Sequence, residues 1–384
     1  MVAYATVTMA TKCDRVLGWL AVAGVAVIAA CGVVLAGCDG APAQNAAAAK
    51  ASGTSEAARG GANAARAGHG HSAGAHSAHG AHGAAVKTTG PLKIVATTAQ
   101  IGDIARNLTQ GVSEVTVAVL LGEGVDPHTY KLTRSDAAQL HSGDLVLFSG
   151  LHLEGKMGEV ISELARSGKR VVEVGAAIPE AQLLVPEGAA DQHDPHFWMD
   201  PELFTFATGV VSREVLALTA GRDAAGAKVT ENARAYNAAL RELDEEIRGL
   251  MEAIPQTQRV LITSHDAFGY FGRRYGLAVH AVQGISTESE AGLADVSRLI
   301  TLITAGKVPA VFVESSVSDR TIKSVIEQSA KRGQIVKLGG ELFSDAMGKP
   351  GTIEGTYIGM MRHNARTISA ALGGKNGASE GGSK

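Results

Sequence analysis

The chain is nearly devoid of thiol chemistry. All three cysteines, Cys13, Cys31 and Cys38, fall within the first 38 of 384 residues. Nothing from residue 39 onward can form a disulfide or supply a Cys-type structural zinc site, so the folded part must stand on its core alone. Aromatic residues make up only 4% of the chain, which argues against an aromatic-lined sugar or base site. The net charge is −3 and no run of Lys or Arg occurs, so the electrostatic footprint of a nucleic-acid binder is missing. Large apolar side chains are almost absent between residues 39 and 90, where Ala, Gly and Ser dominate. Such a stretch cannot bury enough surface to offset its ordering entropy and is expected to be a disordered tether.

What the tether does contain is histidine. His69, His71, His76, His79 and His82 put five of the thirteen histidines of the chain into fourteen residues. A flexible cluster of imidazoles captures borderline divalent metals weakly, and an accessory capture role is the expectation for these five. Ahead of the tether, Lys12 and Arg15 precede a stretch without charge over residues 16–38, closing on Leu35-Ala36-Gly37-Cys38. A basic start, an apolar middle and small residues before a cleavage point mark a secretory signal. The ending resembles the lipobox of bacterial lipoproteins, in which the cysteine is acylated and becomes the first mature residue. Ile28-Ala29-Ala30-Cys31 is a second, weaker candidate, because more apolar chain follows it. An uncleaved membrane helix is the plain alternative, since the stretch is long enough to span a bilayer. The expectation is an exported protein of the cell envelope, lipid-anchored at Cys38.

The remainder alternates strand and helix. Short apolar, β-branched runs at 93–97, 115–120, 145–148 and 171–174 read as buried parallel strands, and a second set follows at 260–263, 279–282, 310–313 and 335–338. Helical segments such as 101–108 and 295–305 lie between them. This is an α/β pattern with parallel sheets. Between the two sets, Val229, Ala233, Tyr236, Leu240, Leu243, Ile247, Leu250 and Ile254 recur at steps of four and three. They form one apolar stripe along a helix over 223–254, whose charged faces read as solvated. The expected organisation is a signal peptide over 1–38, a tether over 39–90, an N-terminal lobe over 91–222, the linking helix over 223–254, a C-terminal lobe over 255–373 and a disordered tail over 374–384.

Four residues stand out on this frame. His128 lies in Asp-Pro-His-Thr-Tyr, His196 in Asp-Pro-His-Phe-Trp-Met-Asp-Pro, His265 in Thr-Ser-His-Asp-Ala-Phe-Gly-Tyr-Phe and Asp345 in Leu-Phe-Ser-Asp-Ala-Met-Gly, at separations of 68, 69 and 80 residues. A fold that gathers them makes a nitrogen/oxygen site for a divalent metal, well suited to Zn²⁺ and acceptable to Mn²⁺. Each also has a plain reading: a turn histidine at His128, a core histidine at His196, a helix cap at Asp345. His265 follows an apolar strand, where ligands of open α/β folds collect.

These motifs, with the Gln-Gly-Ile-Ser-Thr-Glu-Ser-Glu-Ala-Gly segment over 283–292, resemble the metal-binding solute-binding proteins of ABC transporters, the cluster A-I or TroA/ZnuA-like family for zinc and manganese. The resemblance covers residues 92–372. It implies two (β/α) lobes joined by one long backbone helix, with metal bound in the cleft. His128, His196, His265 and Asp345 match the family's four ligand positions. It also implies a monomer that is not an enzyme and that hands Zn²⁺ or Mn²⁺ to a membrane permease driven by an ATPase. In the family the third ligand position tends to be histidine in zinc-binding members and glutamate in manganese-selective ones. Here it is His265, so zinc leads and manganese follows.

Among neighbours, Asp126, Asp194 and Asp266 each lie within two residues of a candidate ligand and are placed to orient an imidazole. Asp200, before Pro201, is expected to cap a helix. Glu288 and Glu314 are expected at the cleft rim without bonding metal, and His141, His152, His280 and His363 as structural or surface residues. Two rivals come from other classes. A zinc hydrolase would need an open metal position and a general base, and no HExxH or HxHxDH motif occurs. A surface adhesin of the same family would need repeats or apolar patches that the sequence does not show. Lipidation is directly testable: Cys38→Ala abolishes incorporation of a labelled fatty acid and frees the protein from the membrane fraction, whereas Cys31→Ala leaves both unchanged.

Overall fold

The computed structural model describes residues 90–186 and 192–374. The leader with Cys31 and Cys38, the tether histidines His69, His71, His76, His79 and His82, and the tail from residue 375 lie outside the described residues. The first half builds β1 (Leu92–Ala96), α1 (Ala99–Leu108), β2 (Val115–Val119), α2 (Arg134–Ser142), β3 (Leu145–Phe148), α3 (Gly158–Arg166) and β4 (Val171–Glu173). These strands form one parallel sheet in the order β2-β1-β3-β4. Strands β1 and β3 are apolar on both faces because helices cover both sides, which explains continuous rather than alternating hydrophobicity.

Next come α4 (Pro201–Leu218) and α5 (Asp223–Glu252). Helix α4 starts where Asp200 accepts hydrogen bonds from the backbone N–H groups of Glu202 and Leu203, with proline at the first helical position. Helix α5 has 30 residues and is therefore about 45 Å long. Its buried side chains include Val229, Tyr236, Leu240, Leu243 and Ile247, the expected stripe. Met251, four residues after Ile247, takes the last core position in place of Leu250, which is only partly buried. Ile254 lies beyond the helix end yet is buried.

The second half builds β5 (Val260–Thr263), α6 (Gly269–Tyr275), β6 (Ala278–Ala281), α7 (Leu293–Gly306), β7 (Ala310–Glu314), α8 (Arg320–Lys331), β8 (Lys337–Leu342) and α9 (Tyr357–Ala371). Here the parallel pairs are β5 with β6 and β7 with β8. The last strand departs from expectation. Ile335, an expected strand residue, is 81% exposed and outside β8, which runs instead to Leu342. The strand carries a register shift opposite Val311 and Phe312, where Gly339 passes against the Phe312 ring and Gly340 against Thr367. A Cβ at Gly339 would come within 2.6 Å of that ring, so the sequence there sheds its side chains and no longer looks like a strand.

Helix α5 joins the halves by different means along its length. Towards its start, Tyr236 donates to Asp103 of α1 at 2.8 Å, and Asn232 donates to the carbonyls of Leu108 and Gln110. Towards its end, Asp244 receives Arg274 of α6, Glu246 receives Arg362 and Arg366 of α9, and the Leu250 carbonyl receives Ser369. Beneath these bonds the apolar core is continuous: Phe197, Trp198 and Phe204 from the first half share one cluster with Phe268, Phe271, Phe312, Tyr357 and Met361 from the second. Phe204 stacks on Tyr357 with ring centroids 3.8 Å apart, and the Tyr357 hydroxyl donates to the Trp198 carbonyl at 2.6 Å. Among the described residues, no helix is long and apolar enough to cross a membrane. Because Leu240 is fully buried on α5, Leu240→Ala is expected to lower stability by about 2–5 kcal/mol. Urea unfolding followed by Trp198 fluorescence and by far-UV circular dichroism should shift together to lower urea, since one core spans both lobes.

Candidate metal centre

The sheets deliver the four candidate residues to one place. His265 follows β5 by two residues, Asp345 follows β8 by three, and both therefore sit at the carboxyl ends of parallel strands. His128 lies in the loop after β2, and His196 immediately precedes the short 3-10 turn Phe197–Met199 that leads into α4. The loop carrying His128 rests on Gly155, where a Cβ would come within 2.5 Å of the His128 carbonyl oxygen. Only glycine leaves room for that approach.

The side chains of His128, His196, His265 and Asp345 are all buried, and one donor atom from each lies within 4.8 Å of every other. His128 Nε2 is 3.4 Å from His196 Nε2, and the Asp345 oxygens lie 3.2 Å from His196 Nε2 and 3.2 Å from His265 Nε2. His128 Nε2 is 3.9 Å from Asp345 Oδ2. An ion with four donors at about 2.0–2.1 Å in a tetrahedron holds them roughly 3.3–3.4 Å apart; the 3.4, 3.2 and 3.2 Å separations match this and the 3.9 Å between His128 and Asp345 is longer. Among the described residues, both ring nitrogens of His265, both Asp345 oxygens and Glu314 Oε2 have no aligned hydrogen-bond partner, despite short separations. Donor atoms crowded into one buried place with incomplete hydrogen bonding are the arrangement that an ion completes.

The reverse sides of three donors are held. His196 Nδ1 donates to Asp194 Oδ1 at 2.8 Å, and the same oxygen accepts the His196 backbone N–H at 2.9 Å. Asp194 is fixed in turn by Tyr270 of α6, whose hydroxyl donates to the Asp194 carbonyl at 2.7 Å. Glu314, the last residue of β7, places Oε2 2.5 Å from His265 Nδ1 while Oε1 accepts the His265 backbone N–H at 2.8 Å. Asp345 is held through its backbone: Gln100 of α1 donates to the carbonyls of Ser344 and Asp345, and Trp198 Nε1 donates to the Ser344 carbonyl.

Some neighbours therefore stand where the sequence suggested and others do not. Asp194 orients an imidazole. Asp126 accepts the backbone N–H of His128 rather than a ring nitrogen. Asp266 donates its backbone N–H to the Gly284 carbonyl, and among the described residues its carboxylate pairs with no imidazole. Glu288 is exposed, paired with Lys156 across 3.7 Å. Glu314 is not at the cleft rim: it is 3% exposed and backs His265. Its one visible signal was its place at the end of an apolar strand, the same signal that marked His265. Gln100 carried no signal, because it touches the site only through carbonyls nearly 250 residues away. His363 contacts the Glu341 carbonyl, and His152 adopts a left-handed backbone in the loop after β3.

Electrostatics divides the three imidazoles. Burial pushes the pKa of His128 down to about 4, against the pull of Asp345. Burial also acts downward on His196, but Asp194 and Asp345 outweigh it and raise the pKa to about 9. At His265 burial is likewise overcome, here by Glu314 and Asp345, and the pKa stands well above the usual histidine range. Burial would raise Asp345, yet His265 and His196 hold it well below the usual carboxylate range.

Residues 94–371 match the family described as ZnuA, the periplasmic component A of a zinc-uptake complex. The chain belongs to this family. It is 45% identical over 282 residues to the manganese-binding lipoprotein MntA of Bacillus subtilis, spanning 73% of this chain and 90% of that one. It is 43% identical over 279 residues to the zinc-binding protein TroA of Treponema pallidum, spanning 73% and 88%. The solved structure of that periplasmic zinc-binding protein superimposes with a TM-score of 0.70, covering 74% of this chain and 99% of its own. The family consists of transporter components, and its two-lobe α/β fold is the fold described above.

Against the effect of burial, Asp194 and Asp345 raise the His196 pKa to about 9, so an entering divalent ion competes with a proton there at pH 7. Affinity for Zn²⁺ is expected to rise with pH until His196 loses its proton near pH 9. Calorimetry at pH 7 in buffers of different ionisation enthalpy should show proton release with each ion bound; a buffer-independent heat would contradict this.

Proposed function

We propose that the chain is the extracytoplasmic solute-binding lipoprotein of an ABC importer, capturing a divalent transition metal and delivering it to the membrane permease and its ATPase. The observation that carries the reading is the convergence of four buried donors, from four separate segments, within 4.8 Å. Relatives named as manganese- and zinc-binding over nearly their whole length support it. His128, His196, His265 and Asp345 are the proposed ligands. Zn²⁺ is the preferred cargo and Mn²⁺ the next, because three imidazoles raise affinity for zinc over manganese by the usual stability order and the donor spacing suits a tetrahedral ion.

Donors from both halves of the chain serve a carrier. Together they strip water from the ion, and displacing one segment is enough to weaken the site. Four protein donors leave no open position for an activated water, which disfavours the hydrolase reading. The adhesin reading gains nothing from the described surface. In this proposal Cys38 carries the lipid anchor, the monomer acts alone, and His69, His71, His76, His79 and His82 collect metal near the membrane.

The test is a calorimetric titration of metal-stripped protein with Zn²⁺ and Mn²⁺, alongside Asp345→Ala and His265→Glu. One tight zinc site is expected, weakened by more than about a hundred-fold in Asp345→Ala, since loss of an outer partner alone costs roughly 10–100-fold. His265→Glu should lose zinc and gain manganese. Tight manganese binding by the unmutated protein would overturn the preference, and absence of a tight site for either ion would overturn the reading.

A further inference from the structure

The four proposed ligands are not held alike. His196 is backed by Asp194, His265 by Glu314, and the Asp345 segment by Gln100 and Trp198. Among the described residues, no carboxylate is paired with the far ring nitrogen of His128. Val125, Tyr130 and Leu132 pack its loop on Leu121, Met157 and Ile161, and at His128 itself the hold is Asp126, whose Oδ1 accepts the His128 backbone N–H at 2.9 Å. The other oxygen of Asp126, Oδ2, accepts two hydroxyls. One is local, from Thr129 at 2.8 Å. The second comes from Thr287, 161 residues away, at 2.5 Å.

Thr287 belongs to the segment between β6 and α7, in the opposite lobe, and it crosses the cleft to reach the His128 loop. Around it the two lobes approach closely. Glu288 lies beside Lys156, but both side chains are about half exposed and such a pair contributes little. A Cβ at Gly124, in the His128 loop, would come within 3.4 Å of the Ser315 carbonyl after β7. Elsewhere the lobes are joined by a packed aromatic core, which does not part without large cost. The His128 loop is therefore the portion of the site that can move without disturbing that core.

Resting on the metal-carrier reading, the geometry points to Thr287 as a positioning residue that latches the His128 loop over the bound ion and sets the rate at which the ion leaves. Thr287 touches no donor atom. It acts through Asp126 on the backbone of His128, so its hydroxyl favours the assembled site over one from which His128 has withdrawn. His196, His265 and Asp345, each braced on its reverse side, stay behind as a three-donor remnant that binds the ion more weakly. Loss of the ion then begins with one loop rather than with separation of the lobes. Asp126 keeps Thr129 and the His128 N–H when the Thr287 hydroxyl is removed, so the substitution leaves no bare carboxylate.

The test uses the full chain in detergent, loaded with one equivalent of Zn²⁺ and mixed rapidly with excess of the chromophoric chelator 4-(2-pyridylazo)resorcinol. The slow phase of zinc transfer reports dissociation from the buried site, and fast transfer reports the exposed histidines. Thr287→Val, which keeps the branched shape, is expected to speed the slow phase roughly ten-fold, the scale of one hydrogen bond to a charged acceptor. Its association rate should stay within about two-fold of the unmutated value, and Thr287→Ser should restore slow dissociation. Thr287→Ala repeats the test if valine does not fold. A slow phase unchanged in Thr287→Val, or equally fast in the valine and serine variants, overturns the latch while leaving the carrier reading intact. Absence of any slow phase in the unmutated protein overturns the carrier reading and the latch with it.

Discussion

Three imidazoles and a carboxylate cannot be packed together out of water unless something else holds each of them in place, and the rest of the structure follows from that constraint. Left to themselves the rings would turn away or pair with the carboxylate directly. Asp194 and Glu314 prevent this for His196 and His265 by engaging both the ring and the backbone of the same residue. Each of these carboxylates is positioned by an element with a second duty: Asp194 by Tyr270 on α6, Glu314 by the end of β7. A site of this kind needs strands that end together, and parallel sheets supply them.

The same constraint explains how the lobes are joined. Donors from both must agree within a few tenths of an ångström, which a loose hinge would not deliver. The long helix fixes the frame, bonded to α1 along its first half and to α6 and α9 along its second. The aromatic cluster of Phe204, Tyr357 and Trp198 fills the joint. Rigidity of the joint then leaves mobility to the loops, and the asymmetry among the four donors becomes functionally meaningful. Under the carrier and latch proposals, affinity rests with the braced three and exchange with the one that is not braced.

Much of this was legible in the sequence. Continuous β-branched runs marked the strands because both faces of each central strand are covered. Steps of four and three marked α5 because its apolar stripe really does line a core. The four motifs were visible because each contains Pro, Gly or an aromatic residue that its turn requires. What the sequence hid has one cause. Glu314 and Gln100 act on residues 49 and about 245 positions away, and no local pattern distinguishes a buried carboxylate at a strand end from an exposed one. The β8 register was hidden for a different reason: Gly339 gives up its side chain beside the Phe312 ring and Gly340 beside Thr367, which erases the strand signature where the strand is real.

The backbone bonds around Ser344 tie the two halves of the chain together at the site itself. By chain order Asp345 belongs to the C-terminal half, yet the peptide groups at Ser344 and Asp345 are gripped by Gln100 and Trp198 of the N-terminal half. In this chain the carboxylate and the groups that aim it therefore come from opposite sides of α5, and Asp345 depends on an amide and an indole supplied from far ahead of it in sequence.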